Sequence, residues 1–282
     1  MKKILVPTDF SKPSIIAAEV AVDIAEKYGA DVIFLNVVEE ATGGSFNVEG
    51  EVSKGNMEDR LFTFKMIDKA KKQLQKMVSD PRFSAVKVNG ELRVGNPFHG
   101  MRTIIVEHKV DLVVMGTSGR TKLEEVLIGS NTERIIRYAK CPVLTVHKKP
   151  LTTDFKNIVY ATSMSTEEEV FSRIVKRVQQ LYNSTLHLVR INTPADFQKD
   201  HTVKEYMEKF AKKLQLKNYT INIYNDFSTE DGIIRFADQV NADLIAMATH
   251  GRTGFAHVLT GSIAEEVAGH SSRPVLTFVV KH

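Results

Sequence analysis

The chain has one cysteine, Cys141, in 282 residues. No internal disulfide can staple it, and a lone thiol suits a reducing compartment. It also lacks any apolar run near the roughly 18 residues of a membrane span. The opening Met1-Lys2-Lys3-Ile4-Leu5-Val6-Pro7-Thr8-Asp9 sets two lysines before apolar residues. That run stops at a proline and an acid, far short of a secretory h-region. A cytoplasmic location without a membrane partner is expected. Neither sign of charge dominates, with 38 Lys+Arg against 34 Asp+Glu. The lysines are scattered and form no basic tail, so no nucleic-acid partner is expected. Several signatures are missing as well: the Gly-x4-Gly-Lys-Ser/Thr P-loop, the Gly-x-Gly-x-x-Gly dinucleotide fingerprint, the Gly-x-Ser-x-Gly elbow and any HExxH-type metal spacing.

What the chain does have is apolar material and repetition. Hydrophobic residues make up 43%, enough to bury a core, which excludes disorder as the dominant state. Asp111-Leu-Val-Val-Met-Gly-Thr-Ser-Gly-Arg-Thr121 recurs as Asp243-Leu-Ile-Ala-Met-Ala-Thr-His-Gly-Arg-Thr253. At the same offset Gly129-Ser130 recurs as Gly261-Ser262, and Cys141-Pro142-Val143-Leu144-Thr145 as Arg273-Pro274-Val275-Leu276-Thr277. Lys3-Ile4-Leu5-Val6 matches Asn157-Ile158-Val159-Tyr160 at a longer offset. The first copy therefore carries extra residues, assigned to the Gly/Ser/Asn/Glu-rich stretch 41–60, which reads as a loop. The chain is a tandem duplication, with a first domain over 1–147 and a second over 154–282.

Strand and helix signals alternate within each copy. Residues 4–6 read as a short apolar strand. Residues 11–28 read as a helix, with Pro13 in its first turn, a stripe of Ile16, Val20 and Ile24, and Gly29 as its stop. Residues 32–38 read as an apolar, β-branched strand of the kind buried on both faces. Residues 57–78 read as a helix with Phe64, Ile67, Leu74 and Val78 on its inner side. A strand at 86–94, a helix at 97–108, a strand at 112–115, a helix from Ser130 and a strand at 143–146 complete the first copy. The second repeats this order from Ile158 to Val280. The class is α/β, parallel strands with helices on both faces.

In such sheets ligands bind beyond the carboxyl ends of the strands, where the strand order reverses. Two segments compete for that place: Pro7-Thr8-Asp9, and Gly116-Thr117-Ser118-Gly119 with Gly129-Ser130 downstream. Glycines after a buried strand let the backbone approach a ligand closely. Ser130 and Glu133 make a capping-box pattern, so a helix amino end is expected right after Gly129, and Ser262 with Glu265 repeats it. Amides, dipole and hydroxyl there suit a phosphate. Glycine-rich turns also serve as plain turns, and Asp9 could equally cap the helix near Ser11. Cys141 reads as a buried inert thiol, and His250 as a solvated loop residue. The residues alone leave the ligand role open.

The pattern Gly-x2-Gly-x9-Gly-Ser follows an apolar strand here, with Ile4-Leu5-Val6-Pro7-Thr8-Asp9 at the start and Thr249-His250-Gly251-Arg252-Thr253-Gly254 in the second copy. It resembles the universal stress protein family over nearly the whole chain, as two consecutive domains. The resemblance implies two Rossmann-like domains of the adenine nucleotide α-hydrolase-like type. Each would be a five-stranded parallel sheet in order 3-2-1-4-5, with ATP at the ends of strands one and four. Pro7, Thr8 and Asp9 would then meet adenine and ribose, with Val37 lining the base pocket and Met115 and Arg120 in the same site. Gly116, Gly119, Gly129, Ser130 and Asn131 would hold ribose and phosphates, and Mg²⁺ would ride on the phosphates. The second copy keeps Gly251, Gly261 and Ser262 but departs elsewhere. Ala248 stands for Gly116, Ser163 for Asp9, and Phe227-Ser228-Thr229 for Gly95-Asn96-Pro97. ATP is therefore expected mainly in the first domain.

No general base aimed at a γ-phosphate stands out, so a stress-response binding module without catalytic residues is expected. A slow ATPase or nucleotidyl-transfer enzyme in the same cleft, and a nucleotide-independent scaffold, are the alternatives. The strands at 143–146 and 275–280 are apolar edge strands, which invite aggregation unless paired. An intramolecular pseudo-dimer through them is expected, with a homodimer as a further association.

Overall fold

The computed structural model describes residues 1–39, 57–117, 129–250 and 263–280. Most of the expected loop at 41–60, together with Gly119, Arg120, Gly251, Gly261 and Ser262, lies outside the described residues. The chain divides into two compact units, Met1–Val114 and Met115–His282. The division falls inside a strand, not at the join between the repeats.

The first unit contains β1 (Lys3–Pro7), α1 (Lys12–Tyr28), β2 (Asp31–Val38), α2 (Met57–Val78), β3 (Val88–Val94), α3 (Pro97–Glu107) and the first residues of β4 (Leu112–Gly116). Its strands run in the order β3-β2-β1-β4, all parallel. Ile4, Leu5, Val6 and the run from Val32 to Leu35 are buried, as strands covered on both faces must be. Helix α1 has a proline in its first turn and ends on Gly29, whose φ of 64° is left-handed backbone that glycine adopts without strain. Helices α2 and α3 lie on opposite faces. A Cβ on Gly90 of β3 would sit 3.0 Å from Leu74 and Val78 of α2, and one on Gly100 of α3 would sit 3.0 Å from Val37. The inner stripe of α2 is Ala70, Leu74 and Met77. Phe64 is not on it, being 67% exposed. It stands one residue off the line that runs back through Ile67 and Thr63, and so points to water.

The second unit contains α4 (Ser130–Tyr138), β5 (Val143–Val146), β6 (Asn157–Ala161), a 3₁₀ turn (Thr166–Glu168), α5 (Glu169–Tyr182), β7 (Thr185–Asn192), α6 (Asp200–Lys213), β8 (Tyr219–Asn225), α7 (Thr229–Gln239), β9 (Leu244–His250), α8 (Ile263–His270) and β10 (Val275–Val280). The strand order is β5-β10-β9-β6-β7-β8. Strands β6 to β10 pair in parallel. Strand β5 is antiparallel to β10, with Thr145 opposite Val275 and Val143 opposite Thr277. The five strands of the second copy are parallel and keep the order 3-2-1-4-5 that the resemblance implies, and the last strand of the first copy joins them antiparallel at β10. The otherwise unpaired edge of β10 finds its hydrogen bonds in the last strand of the other repeat, and the pairing makes the sheet mixed. Thr145 and Thr277 reinforce the seam by donating their hydroxyls across it, each at 3.3 Å. Above it, the Arg137 guanidinium of α4 forks onto the Glu265 carboxylate of α8.

Helices again lie on both faces. A Cβ on Gly232 of α7 would come within 2.6 Å of Ile191 Cγ2 and 3.1 Å of Asp226 Cβ. Ile191 thus faces α7, and its neighbour Arg190 faces the side of α5 and α6. The replacement Gly232→Val should lower stability by about 2 kcal/mol, since overpacking outweighs the small gain in helix propensity. A urea midpoint that falls with an unchanged m-value would show it.

Candidate functional site

The parallel strands of the first unit end at one edge, where the first candidate segment sits. The Thr8 N–H donates to the Leu35 carbonyl at 2.8 Å, extending the ladder one residue past β1. The chain then turns sharply around the Thr8 side chain. Its Oγ1 accepts the Phe10 N–H at 3.0 Å and lies 3.0 Å from the Ser14 hydroxyl, which itself donates to the Ser11 carbonyl at 2.9 Å. Asn36 Nδ2 donates to the Thr8 carbonyl at 2.7 Å. Thr8 is buried and held on every side. Phe10 takes φ 64°, left-handed backbone that costs a bulky residue on the order of 1 kcal/mol.

The turn leaves Asp9 exposed at its tip, where one carboxylate oxygen accepts the Ser11 N–H at 3.0 Å. Partial burial pushes this carboxyl up, but hydrogen bonds from Ser11 and Ser14 outweigh it and hold the pKa below the ordinary aspartate value. Asp9 therefore braces the start of α1 and is an ionised acceptor at neutral pH. Val37, half-buried, faces α3 on the next strand. Past β3, Gly95 at φ 117° donates its N–H to the Val38 carbonyl at 2.9 Å, and Asn96 caps α3 by accepting the His99 N–H at 3.1 Å. Pro7, Thr8, Asp9 and Val37 are thus gathered at one edge. Asn36 is the residue that sequence reading missed: a lone polar side chain in a strand read as wholly apolar.

The second unit holds Met115, buried, and Gly116 at the end of β4. Thr117 follows, its N–H donating to the Val146 carbonyl at 3.0 Å and its hydroxyl 3.2 Å from His147 Nδ1. Helix α4 begins at Ser130, right after Gly129, as expected, but its cap is not the expected one. Gly129, not Ser130, is the N-cap, with extended backbone at ψ 139° and no side-chain cap. Ser130 already lies inside the helix and is exposed, while Glu133 pairs with Arg137 at 2.9 Å. The capping box is therefore absent. The first-turn amides of α4, those of Ser130 and Asn131 among them, receive no acceptor from the cap residue.

The second repeat uses the same turn with other side chains. The Thr162 N–H donates to the Val189 carbonyl at 3.2 Å, the Met164 N–H to Thr162 Oγ1 at 2.9 Å, and Met164 takes φ 62°. Ser163 occupies the place of Asp9, Glu168 that of Ser14, and Arg190 that of Asn36. Glu168, 2% exposed, accepts the hydroxyls of Tyr160 at 2.9 Å, Thr162 at 2.6 Å and Ser163 at 2.6 Å, and the Ser163 N–H at 2.9 Å. Burial, with the Glu168 charge adding to it, raises the Tyr160 phenol well above the usual tyrosine value. The signal for this network was a glutamate standing where the first copy has a serine. Among the described residues no group of three or more His, Cys, Asp or Glu side chains could hold a metal ion.

Comparison with known proteins places this geometry. The family model described as the universal stress protein family matches residues 1–147 and 154–279. A universal stress protein of Methanocaldococcus jannaschii is 36% identical over 155 residues, covering 53% of this chain and 83% of that protein. One from Synechocystis is 24% identical over 300 residues, covering 99% of this chain and all of that protein, 100%. The crystal structure of a universal stress protein from Archaeoglobus fulgidus superposes with a TM-score of 0.76 at 18% identity, covering 98% of each chain.

Two expectations follow. Glu168→Gln should cost about 1.5–3 kcal/mol in denaturant unfolding, because a buried charged acceptor of four hydrogen bonds becomes an amide that sets donors against donors. Asp9 has a folded pKa below its unfolded value, so its stabilisation is present above the ordinary aspartate pKa and is lost as pH falls through the folded one. The stability advantage of wild type over Asp9→Asn should hold at pH 7 and fade below about pH 4, read from acid titrations of both proteins.

Proposed function

The chain belongs to the universal stress protein family, and from that premise we propose that its first repeat binds ATP or a related adenine nucleotide as a regulatory, stress-response module, not as an enzyme. The observation that carries the reading is the amino end of α4. With glycine as N-cap and no side-chain cap, its first-turn amides and positive dipole end are left to an external anion. The donor and acceptor set fits a nucleotide. Asp9, ionised and exposed at its turn, would accept from ribose hydroxyls or the adenine amino group beside Pro7 and Thr8. Val37 and Met115 would offer apolar surface to the base. Gly116, Gly119, Arg120, Gly129, Ser130 and Asn131 would hold ribose and phosphates, and Mg²⁺ would neutralise charge on the phosphates.

The second repeat is the weaker candidate. Glu168 already takes the Ser163 N–H and hydroxyl, and Ala248 puts a methyl group where the first copy has Gly116. Gly251, Gly261 and Ser262 keep part of the motif. We further propose that the family domains span 1–147 and 154–282 and form an intramolecular pseudo-dimer, which the antiparallel β5–β10 pairing supports. A homodimer would be a further association. A cytoplasmic location is consistent with a chain in which no described helix is long and apolar enough to cross a membrane.

Calorimetric titration with ATP tests the reading. Wild type should show one tight site, Asp9→Ala should weaken it about tenfold through a lost charged hydrogen bond, and Gly119→Val should abolish it. Gly251→Val should leave it intact. Loss in Gly251→Val with survival in Gly119→Val would overturn the assignment, and steady phosphate release above background would overturn the non-enzymatic part.

A further inference from the structure

We infer that the second repeat carries a separate binding site for a small phosphorylated molecule, in the cleft between the start of α5 and α6. The cleft has a volume of about 380 Å³ and is lined by Arg190, Lys209 and Lys213 and by the hydroxyl-bearing Ser163, Ser165 and Thr166. It lies on the face of β7 that carries Arg190. Ile191, the counterpart of Val37, points to the other face, toward α7. The site is therefore not the second copy of the nucleotide cleft, and it stands whether or not the first repeat holds ATP.

Two residues that line this cleft carry buried polar atoms without a partner. Arg190 is 9% exposed. One of its Nη atoms donates to Asp196 at 2.7 Å, and its buried Nε has no partner. Ser165 leads into the 3₁₀ turn as its cap residue, yet its hydroxyl makes no cap bond, is buried and has no partner either. A nearly buried guanidinium balanced by one exposed carboxylate is costly, and an oxygen-rich anion in the cleft would add to the balance of its charge. The first repeat has no guanidinium at this position: Asn36 stands in the place of Arg190 and donates its amide to Thr8.

Carboxylates face these cations, and the site must compete with them. Asp196 pairs with Arg190, Glu205 with Lys209 at 2.6 Å, and Glu169, itself lining the cleft, with Lys213. The two lysines are 66% and 57% exposed, and surface pairs of this kind exchange partners at little cost. Three cations and the exposed Thr166 hydroxyl around one small space match the charge and the terminal oxygens of a phosphate monoester better than a carboxylate. Tyr206, Phe210 and Met164 supply apolar wall for a small body. The volume sits at the low end of ligand pockets, about 300–1,000 Å³, which suits a metabolite and not a polymer.

The test is a ¹H–¹⁵N NMR titration of the intact protein with inorganic phosphate, and with acetate as the carboxylate arm. Phosphate should give saturable shifts at the amides of Ser163, Ser165, Glu169 and Arg190, and acetate should not. Arg190→Gln should weaken binding about tenfold and Ser165→Ala about fivefold. If Arg190→Gln fails to fold, Lys213→Gln, altered at an exposed side chain, should weaken binding several-fold instead. No saturable shift into the millimolar range, equal shifts with acetate, or undiminished binding in folded Arg190→Gln or Lys213→Gln would each overturn the proposal. Phosphate reaching the first turn of α4 would shift Ser130 and Asn131 instead, so the two sites are read separately.

Discussion

An aspartate at the foot of the fourth strand holds the first strand of each repeat in place. Asp111 Oδ2 accepts the backbone N–H groups of Lys2 at 2.6 Å and Lys3 at 3.1 Å, and Asp243 Oδ2 does the same for Lys156 at 2.9 Å and Asn157 at 2.8 Å. These charge-assisted pairs fix the register, with Ile4 beside Leu112 and Ile158 beside Leu244. A slip of one residue would turn every side chain of the strand to the opposite face. The clamp at the amino edge therefore decides which residue leaves the ladder at the carboxyl edge. Thr8 and Thr162 do so, each with the same turn behind it, and everything proposed about binding depends on where those turns fall.

The turn shows how one backbone can carry two chemistries. In the first repeat Asp9 stands at the tip, with only neutral side chains, Ser14 and Asn36, beneath it. In the second the acid has moved inward to Glu168, and a cation, Arg190, stands in the place of Asn36. The hydrogen bonds that shape the loop, Thr8 with Phe10 and Thr162 with Met164, are alike. What differs is where charge meets solvent: a carboxylate presented outward in one copy, a carboxylate consumed inside and a guanidinium below in the other. The two repeats have parted in electrostatics while keeping their geometry.

Much of this was legible in the sequence. The duplication stood out because identical turn residues recur at a constant offset, and the central strands because burial on both faces demands continuous apolar runs. Pro13 and Gly29 marked α1 through backbone geometry alone. The misses have physical causes. Ser130-x-x-Glu133 matched a capping box, but Gly129 is the cap, Ser130 is already helical, and Glu133 pairs with Arg137 one turn on. Phe64 lay one residue off the buried line of α2. Asn36 acts through Thr8 on the neighbouring strand and Glu168 through hydroxyls gathered by the turn before it, and periodicity carries no information about such hydrogen bonds. The antiparallel seam of β5 and β10 was legible only as two apolar strands in need of an edge.

That seam sets the line of inheritance apart from the line between the two compact units. The copies meet between residues 147 and 154 in the sequence, yet the compact units part inside β4. Strand β5 and helix α4 descend from the first copy and are built into the body of the second. Cutting the gene at the duplication joint would take β5 from the second body, bare the edge of β10, and leave the Glu265 carboxylate, 6% exposed, without the arginine that faces it. The copies are thereby joined by an edge as well as by the chain, and a cut at the joint would leave each with a bare last strand.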